Sequence, residues 1–214
     1  MSTEKTTITY SHYNFGPFLF RSKLSNEIIE ELISEGLKSK KAHNEKLAGH
    51  LDDQFLYPDD YQEKFYAQFL PYLQVYRDAH CKYHGLDSSI PVEIQPIDLW
   101  VNFMKAGDFN PMHTHSFDLS FVIFASVPEE IHQEAGNYVG TGSVPGSISF
   151  TYTQQAKPKW ATTSVTHLPE TGELFIFPAL LQHWVAPFKS DVTRVSISGN
   201  LLYLNKNKFP SGYF

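Results

Sequence analysis

The sequence changes its periodicity at about Gly85, and this change constrains the fold more than any other feature. Beyond it, short runs rich in β-branched and aromatic residues are separated by turn residues, a pattern typical of strands. Strands are predicted at 97–104, 119–127, 147–153, 173–177, 183–188 and 194–204. Aromatic residues make up 15% of the chain, which suits a sheet-rich core or an aromatic-lined cavity. The stretch 128–146 is rich in Gly, Glu and Pro, and we expect a long mobile excursion there.

Residues before Gly85 show helical periodicity instead. The apolar residues of 24–37 form one stripe, with Ser25 as the N-cap of a helix. A second helix is predicted to begin at about Asp60 and to stop at Gly85. Pro71 lies inside it and should kink or interrupt it, because proline lacks the backbone N–H that a helix interior needs.

The order of these elements predicts the fold class. Residues 43–58 have no clear period and should form a loop. Helices followed by many short strands indicate an α+β chain with a β-sandwich or barrel core. We therefore expect a single domain over residues 1–214, in which 1–90 form a mostly helical support and 91–214 form the β core.

Composition narrows the classes of function. The formal net charge of -6 gives no general attraction for a phosphate backbone, so no nucleic-acid partner is expected. Cys81 is the single cysteine, which rules out an intramolecular disulfide. No apolar run is long enough to span a membrane, and the N-terminal residues are polar. These features predict a cytoplasmic protein without a membrane partner and leave its oligomeric state open.

Two histidines spaced two residues apart are the clearest sign of chemistry. His113 and His115 lie at the end of a predicted strand or in the turn after it. Side chains at i and i+2 of an extended chain point to the same side, so two imidazoles would form half of a metal site. The best third donor is His183, which follows a strand and a tight turn and would lie near the pair in a jelly-roll barrel. Imidazole suits iron, zinc, copper and nickel alike.

The last predicted strand alternates strictly between polar and apolar residues. Arg194, Ser196, Ser198 and Asn200 occupy one face of this strand, and the residues between them are apolar or Gly. The polar face could simply lie in water, as in many half-buried strands. Alternatively it points into the mouth of the barrel, where the guanidinium of Arg194 would suit a carboxylate and Ser196 would donate a further hydrogen bond.

Three motifs occur in order along the second half of the chain. They are W-x-N-x4-G-x2-N-x2-H-x-H at 100–115, G-E-L-F-I-F-P-x4-H-x3-P-F at 172–188 and R-x-S-x-S-x-N at 194–200. Together they resemble the Fe(II)- and 2-oxoglutarate-dependent oxygenases, in particular the prolyl-4-hydroxylase-like branch. The resemblance implies a double-stranded β-helix, that is, a jelly-roll or cupin-like barrel, with N-terminal helices packed on one sheet.

The resemblance also implies roles for individual residues. His113 matches the first iron ligand of the family and His183 the distal ligand. Arg194, with Ser196 as its partner, matches the residue that binds the far carboxylate of 2-oxoglutarate. Asn102 matches an asparagine that contacts the co-substrate in the nucleic-acid-repair branch of the superfamily.

The middle metal ligand departs from the family pattern. The family usually has Asp or Glu two residues after the first ligand, whereas this sequence has His115. A site of three histidines is chemically reasonable but lacks one negative charge. Asp118 is the alternative to His115 as the middle ligand.

The activity implied by the resemblance is hydroxylation of an unactivated C–H bond of a peptide or small molecule, with 2-oxoglutarate converted to succinate and carbon dioxide. The cofactors would be Fe(II) and 2-oxoglutarate, with ascorbate as an optional reductant. The segments 128–146 and 154–168 would serve as lids over the site. The alternative is a cupin-type metalloprotein, such as a dioxygenase, an isomerase or a ligand sensor, that does not use 2-oxoglutarate.

Overall fold

The computed structural model describes residues 16–89, 93–152 and 163–204. The helices are α1 (Asn26–Lys38), α2 (Asp59–His84) and α3 (Glu129–Gly136), with a short 3-10 helix at Asn44–Lys46. The strands are β1 (Phe20–Lys23), β2 (Lys41–Ala42), β3 (Asp53–Leu56), β4 (Ile94–Met104), β5 (Asn110–His113), β6 (Leu119–Ser126), β7 (Ile148–Thr151), β8 (Ser164–His167), β9 (Glu173–Pro178), β10 (Gln182–Val185) and β11 (Arg194–Tyr203). Among these residues, no helix combines the length and the apolar character needed to cross a membrane.

Two antiparallel sheets form the β core. The larger sheet has the strand order β1-β9-β6-β11-β4-β3-β2, and the smaller has the order β5-β10-β7-β8. Side chains from both sheets meet in one apolar cluster, which includes Phe124 of β6, Phe150 of β7 and Phe177 of β9. Part of the aromatic residues therefore fills the space between the sheets, and the predicted α+β class is confirmed.

The two long helices cover the other face of the larger sheet. Leu32 of α1 and Phe65 and Phe69 of α2 pack in one cluster with Phe121 of β6 and Ile197 of β11. Each helix buries most of the apolar stripe that its sequence shows, because only that stripe can leave water without burying polar groups, although Leu37 near the end of α1 is 61% exposed. The prediction that N-terminal helices pack on one sheet is confirmed.

Helix α2 ends where the sequence predicts but is not broken where expected. Gly85 follows it with a φ of 67°, a left-handed conformation that glycine adopts without a Cβ clash. Pro71 lies within the helix, which continues through it, so of the two predicted outcomes, a kink or an interruption, the interruption is wrong. Pro71 is exposed, and the carbonyl of Ala67 that its missing N–H would have paired is therefore accessible to water.

The N-terminal half also supplies strands that its sequence did not reveal. The predicted loop 43–58 contains β3, which pairs with β4 and has Gln54 opposite Asn102. Strands β1 and β2 extend the two edges of the same sheet. These strands have only two to four residues, which is too short for a period of two to emerge from the sequence.

The stretch 128–146 is more ordered than expected. It contains α3, whose Ile131 is fully buried in the apolar cluster between the two sheets. The carboxylate of Glu134 accepts hydrogen bonds from the backbone N–H groups of Lys189 and Ser190 and so ties the helix to the loop before β11. The expectation of a mobile excursion is wrong for this part of the chain.

The second segment predicted as a lid, 154–168, is covered only in part. Residues 153–162 lie outside the described residues. Within the remainder, β8 pairs with β7 at the edge of the smaller sheet.

Candidate active site

Three histidines that are far apart in sequence converge at one end of the β core. His113 ends β5 and lies directly opposite His183 of β10 in the smaller sheet. His115 follows after one residue, and its backbone N–H donates to the carbonyl of Ala179, at the turn between β9 and β10. One ring nitrogen from each histidine lies within 4.8 Å of the other two, and the described residues contain no other group of three side chains with this property. The structure therefore brings together the three histidines predicted as metal ligands.

Hydrogen bonds orient two of the rings toward a common point. Nδ1 of His113 lies 2.7 Å from the carbonyl oxygen of Pro111, and Nδ1 of His183 lies 2.8 Å from that of Leu181. Because a carbonyl can only accept, each Nδ1 must carry the hydrogen, and each Nε2 is left with a free lone pair. Nε2 of His183 lies 3.3 Å from Nε2 of His115. Imidazoles held in this way are ready to coordinate a cation through Nε2.

Burial keeps the three imidazoles neutral. It lowers the pKa of His115 to about 4 and that of His183 to about 3, with the neighbouring His113 as a further cause in both. The pKa of His113 is also lowered by burial. A neutral imidazole is the form that binds a metal, so protons do not compete for these lone pairs near neutral pH.

The side chain of Asp118 lies outside the group of three histidines. Its Oδ2 accepts a hydrogen bond from the backbone N–H of Tyr203, at the end of β11, at 2.8 Å. Its backbone pairs with Leu201 and with Ala179. The structure places His115, and not Asp118, in the group of potential ligands.

A cavity of about 160 Å³ extends from the histidines between the two sheets. Arg194, Ser196 and Asn102 line it, as do Gln54 and Trp100. None of its described lining residues is an Asp or a Glu. The polar face of β11 therefore points inward, and the alternative that this face lies in water is wrong for Arg194 and Ser196, which are 1% and 6% exposed.

Arg194 is a buried cation without an acidic partner among the described residues. Its Nη1 donates to the carbonyl of Gly146 at 2.9 Å, and its Nη2 contacts the sulfur of Met104 at 2.8 Å, a weak acceptor. Its Nε has no acceptor in the described part of the chain. The guanidinium carbon lies 5.2 Å from the ring centroid of Phe124. Burial lowers the pKa of Arg194 to about 10, because the charged form is poorly solvated here.

Asn102 and Ser196 lie beside this cation in a row of aligned residues. Asn102 of β4 is opposite Ser196 of β11 on one side and Gln54 of β3 on the other. The Nε2 of Gln54 donates to Oδ1 of Asn102 at 2.8 Å, and Nδ2 of Asn102 lies 3.4 Å from Oγ of Ser196. Gln54 could not be selected from the sequence, because β3 is too short to show a period and the partner of Gln54 lies 48 residues away.

The charges of the cavity fit a divalent metal together with a dianionic ligand. Three neutral imidazoles leave the full charge of a divalent cation uncompensated, and no described carboxylate reaches the cavity. Arg194 adds a second buried positive charge, and its Nε–H has no acceptor among the described residues. A dicarboxylate such as 2-oxoglutarate could neutralise both charges, with one carboxylate at the metal and the other at Arg194. The residues present therefore fit Fe(II) and 2-oxoglutarate.

The comparison with protein families agrees with this chemistry. Residues 98–200, just under half of the chain, match the family described as "Putative 2OG-Fe(II) oxygenase". The β core of this chain is therefore similar to the 2OG-Fe(II) oxygenases. The match runs from within β4 to within β11 and so includes the three histidines and Arg194. No sequence among the curated proteins matches the chain.

Solved structures share the fold of the β core and of the helices that pack on it. A viral collagen prolyl hydroxylase from Paramecium Bursaria Chlorella virus-1 is 14% identical, with a TM-score of 0.53 over 87% of this chain and 96% of that chain. A Trichoplax adhaerens prolyl hydroxylase, in complex with a peptide fragment of the hypoxia inducible factor oxygen degradation domain, is 13% identical, with a TM-score of 0.54 over 90% and 85%. HygX from Streptomyces hygroscopicus, with nickel and 2-oxoglutarate bound, is 9% identical, with a TM-score of 0.54 over 87% and 83%.

These likenesses confirm the predicted fold class, a double-stranded β-helix with N-terminal helices on one sheet. The family match bears out the predicted resemblance to the Fe(II)- and 2-oxoglutarate-dependent oxygenases, and the fold that the chain shares with the two prolyl hydroxylases is consistent with the predicted branch. The cupin-type alternative without 2-oxoglutarate is not favoured, since the family match and these structural neighbours all point to the oxygenases.

Proposed function

We propose that this oxygenase core hydroxylates an unactivated C–H bond of a peptide or small-molecule substrate, with Fe(II) and 2-oxoglutarate. One observation carries the proposal. Three neutral imidazoles converge in a cavity that is also lined by the buried guanidinium of Arg194, and no Asp or Glu is among its described lining residues. When bound, Fe(II) and 2-oxoglutarate supply the oxidation, in which O₂ gives one atom to the substrate and one to succinate as carbon dioxide is released.

The metal would be held by His113, His115 and His183, each through the nitrogen that faces the other two rings. The carbonyls of Pro111 and Leu181 fix the first and last of these rings, so the ligand geometry is organised before the metal binds. Three protein ligands would leave room at the metal for the co-substrate.

Arg194, Ser196 and Asn102 would bind the far carboxylate of 2-oxoglutarate. All three are buried side chains that line the same cavity, and each can donate a hydrogen bond there. Their contribution is to orient the co-substrate and to keep water from the oxidised centre. A fully buried guanidinium would also bind a carboxylate more strongly than an exposed one, because water does not compete.

The substrate class is proposed by analogy with a structural neighbour. The Trichoplax adhaerens structure contains a peptide, and this favours a peptide substrate by analogy of fold alone. Ascorbate would serve as an optional reductant. We also propose one domain, because α1 and α2 pack on the larger sheet of the β core, and a cytoplasmic location, which rests only on the sequence.

The test uses the purified full-length chain with Fe(II), ascorbate and 2-oxoglutarate, and it measures succinate by mass spectrometry. We expect slow succinate formation without added substrate, which stops when the metal is chelated or when His183→Ala is tested. Asp118→Asn serves as the control, because Asp118 lies outside the group of histidines. Succinate that persists in His183→Ala, or an absence of 2-oxoglutarate binding by the metal-loaded protein, would overturn the proposal.

A further inference from the structure

Gln54, Asn102 and Ser196 form a row of side chains across three strands of the larger sheet. Gln54 of β3 is aligned with Asn102 of β4, which is aligned with Ser196 of β11. Directly opposed residues of antiparallel strands share a face, so the three side chains lie next to one another toward the cavity. All three are buried, at 2%, 5% and 6% exposure, so their hydrogen bonds cannot be exchanged for water without a cost.

The indole of Trp100 fixes the direction of this row. Its Nε1–H can only donate, and it lies 3.1 Å from Oδ1 of Asn102. The amide oxygen of Asn102 must therefore face Trp100 and Gln54, whose Nε2 donates to the same oxygen at 2.8 Å. The amide nitrogen of Asn102 is consequently turned toward Ser196, at 3.4 Å from both its carbonyl oxygen and its Oγ. These are long contacts, and they leave the N–H groups of Asn102 available to a better acceptor.

The hydrogen bond to Oδ1 of Asn102 also fixes the orientation of the Gln54 amide. Turning its amide over would place Oε1 against Oδ1 of Asn102, two acceptors with no hydrogen between them. In the observed orientation Oε1 is buried and has no partner among the described residues. An unpaired buried acceptor is destabilising, and the protein tolerates it while Nε2 holds Asn102 in place.

Resting on the proposed function, we infer that Gln54 and Trp100 are positioning residues that hold the amide of Asn102 with its nitrogen toward Ser196 and Arg194. That end of the cavity then presents donors from Asn102, Ser196 and Arg194. This end of the cavity therefore binds a 2-oxo acid that carries a second carboxylate more tightly than a 2-oxo acid that lacks the second carboxylate. Gln54 lies outside the residues that match the oxygenase family, so this chain supplies part of its selectivity from the N-terminal half.

The test measures binding, not turnover, in the full-length protein loaded with Ni(II), by calorimetric titration. The two probes are 2-oxoglutarate and 2-oxobutanoate, which carries the same 2-oxo acid group but lacks the far carboxylate. For Gln54→Met we expect about fivefold weaker binding of 2-oxoglutarate, since one neutral hydrogen bond contributes about 1 kcal/mol. Binding of 2-oxobutanoate should not change. Gln62→Met is the matched control, because Nε2 of Gln62 donates to the carbonyl of Tyr57, away from the cavity.

A double-mutant cycle separates positioning from a general structural effect. If Gln54 acts through Asn102, then Gln54→Met should add nothing to the loss caused by Asn102→Ala. Trp100→Phe removes the indole donor while keeping an aromatic ring, and it should lower the same selectivity even if Gln54→Met folds poorly. Equal losses for both probes, or additive losses in the cycle, would overturn the inference. If the wild-type protein binds neither probe, the proposed function fails instead.

Discussion

Replacing Arg194 with methionine should stabilise the protein while removing its affinity for 2-oxoglutarate. Methionine keeps an unbranched side chain of similar length, so it removes the charge without leaving a large void. Arg194 is 1% exposed, and a carbonyl, a thioether and the Phe124 ring are its only recorded partners among the described residues. The side chain is thus poorly accommodated until an anion binds to it.

The magnitudes follow from these contacts. The guanidinium loses several kcal/mol of solvation on burial, and its orphaned Nε–H adds about 1–3 kcal/mol. The carbonyl bond returns about 1.5–3 kcal/mol and the cation–π contact about 0.5–2 kcal/mol. Replacement of such a group by an apolar one is commonly stabilising by about 1–4 kcal/mol. For a chain of this size, each kcal/mol raises Tm by about 2–4 °C.

Arg194→Met should weaken the binding of 2-oxoglutarate, in contrast to its stabilising effect on the ligand-free protein. Loss of a buried charge-assisted pair should weaken 2-oxoglutarate by about 2–4 kcal/mol, which corresponds to about 30- to 1000-fold in Kd. Affinity for Ni(II) should stay the same, because Arg194 is not among the three converging side chains.

The assay combines thermal unfolding of the ligand-free protein with calorimetric titration of the Ni(II)-loaded protein. Arg194→Lys is the control: it keeps a charge but loses the planar fork, so its affinity for 2-oxoglutarate should lie between those of the other two proteins. A lower Tm of ligand-free Arg194→Met, combined with unchanged 2-oxoglutarate binding, would refute the reasoning. Loss of Ni(II) binding would show that Arg194 supports the histidines instead.

Three further predictions concern other parts of the molecule. His115→Asp should keep Ni(II) binding in calorimetry, because a carboxylate replaces an imidazole, whereas His115→Ala should lose at least about tenfold. Burial lowers the pKa of His80 to about 4, so the unfolded chain takes up its proton first as the pH falls below about 6.5, and stability is lost between about pH 6.5 and 4. His80→Phe should therefore reduce the loss of unfolding free energy between pH 7 and pH 5 by about 1–2 kcal/mol, after allowance for the partial exposure of His80. The measurement is a smaller fall in Tm between these pH values, and an unchanged fall would contradict the prediction. A Cβ at Gly199 would lie 2.6 Å from the ring of Phe121, so Gly199→Ala should cost about 1–3 kcal/mol in chemical unfolding, whereas Gly136→Ala, which meets no atom within 4 Å, should not destabilise.

The order of elements and the polarity of individual strands were accessible from the sequence. Periodicity located α1, most of α2 and the strands β4, β6, β9 and β11, because each is long enough to repeat its pattern. Alternation along β11 assigned Arg194 and Ser196 to one face and Val195 and Ile197 to the other. Sequence also selected the three histidines that the structure brings together, although their roles as ligands stay a prediction.

The tertiary structure alone decided which face of β11 is covered by helices and which lines the cavity. A period of two separates the faces of a strand, but the partner of each face comes from distant chain segments. Strand pairing likewise set the row of Gln54, Asn102 and Ser196, because register between strands 48 and 94 residues apart leaves no local signal. Tertiary structure also decided between His115 and Asp118, since both follow β5 closely in the sequence. In the fold, the ring of His115 faces His113 and His183, whereas the carboxylate of Asp118 accepts a hydrogen bond from Tyr203.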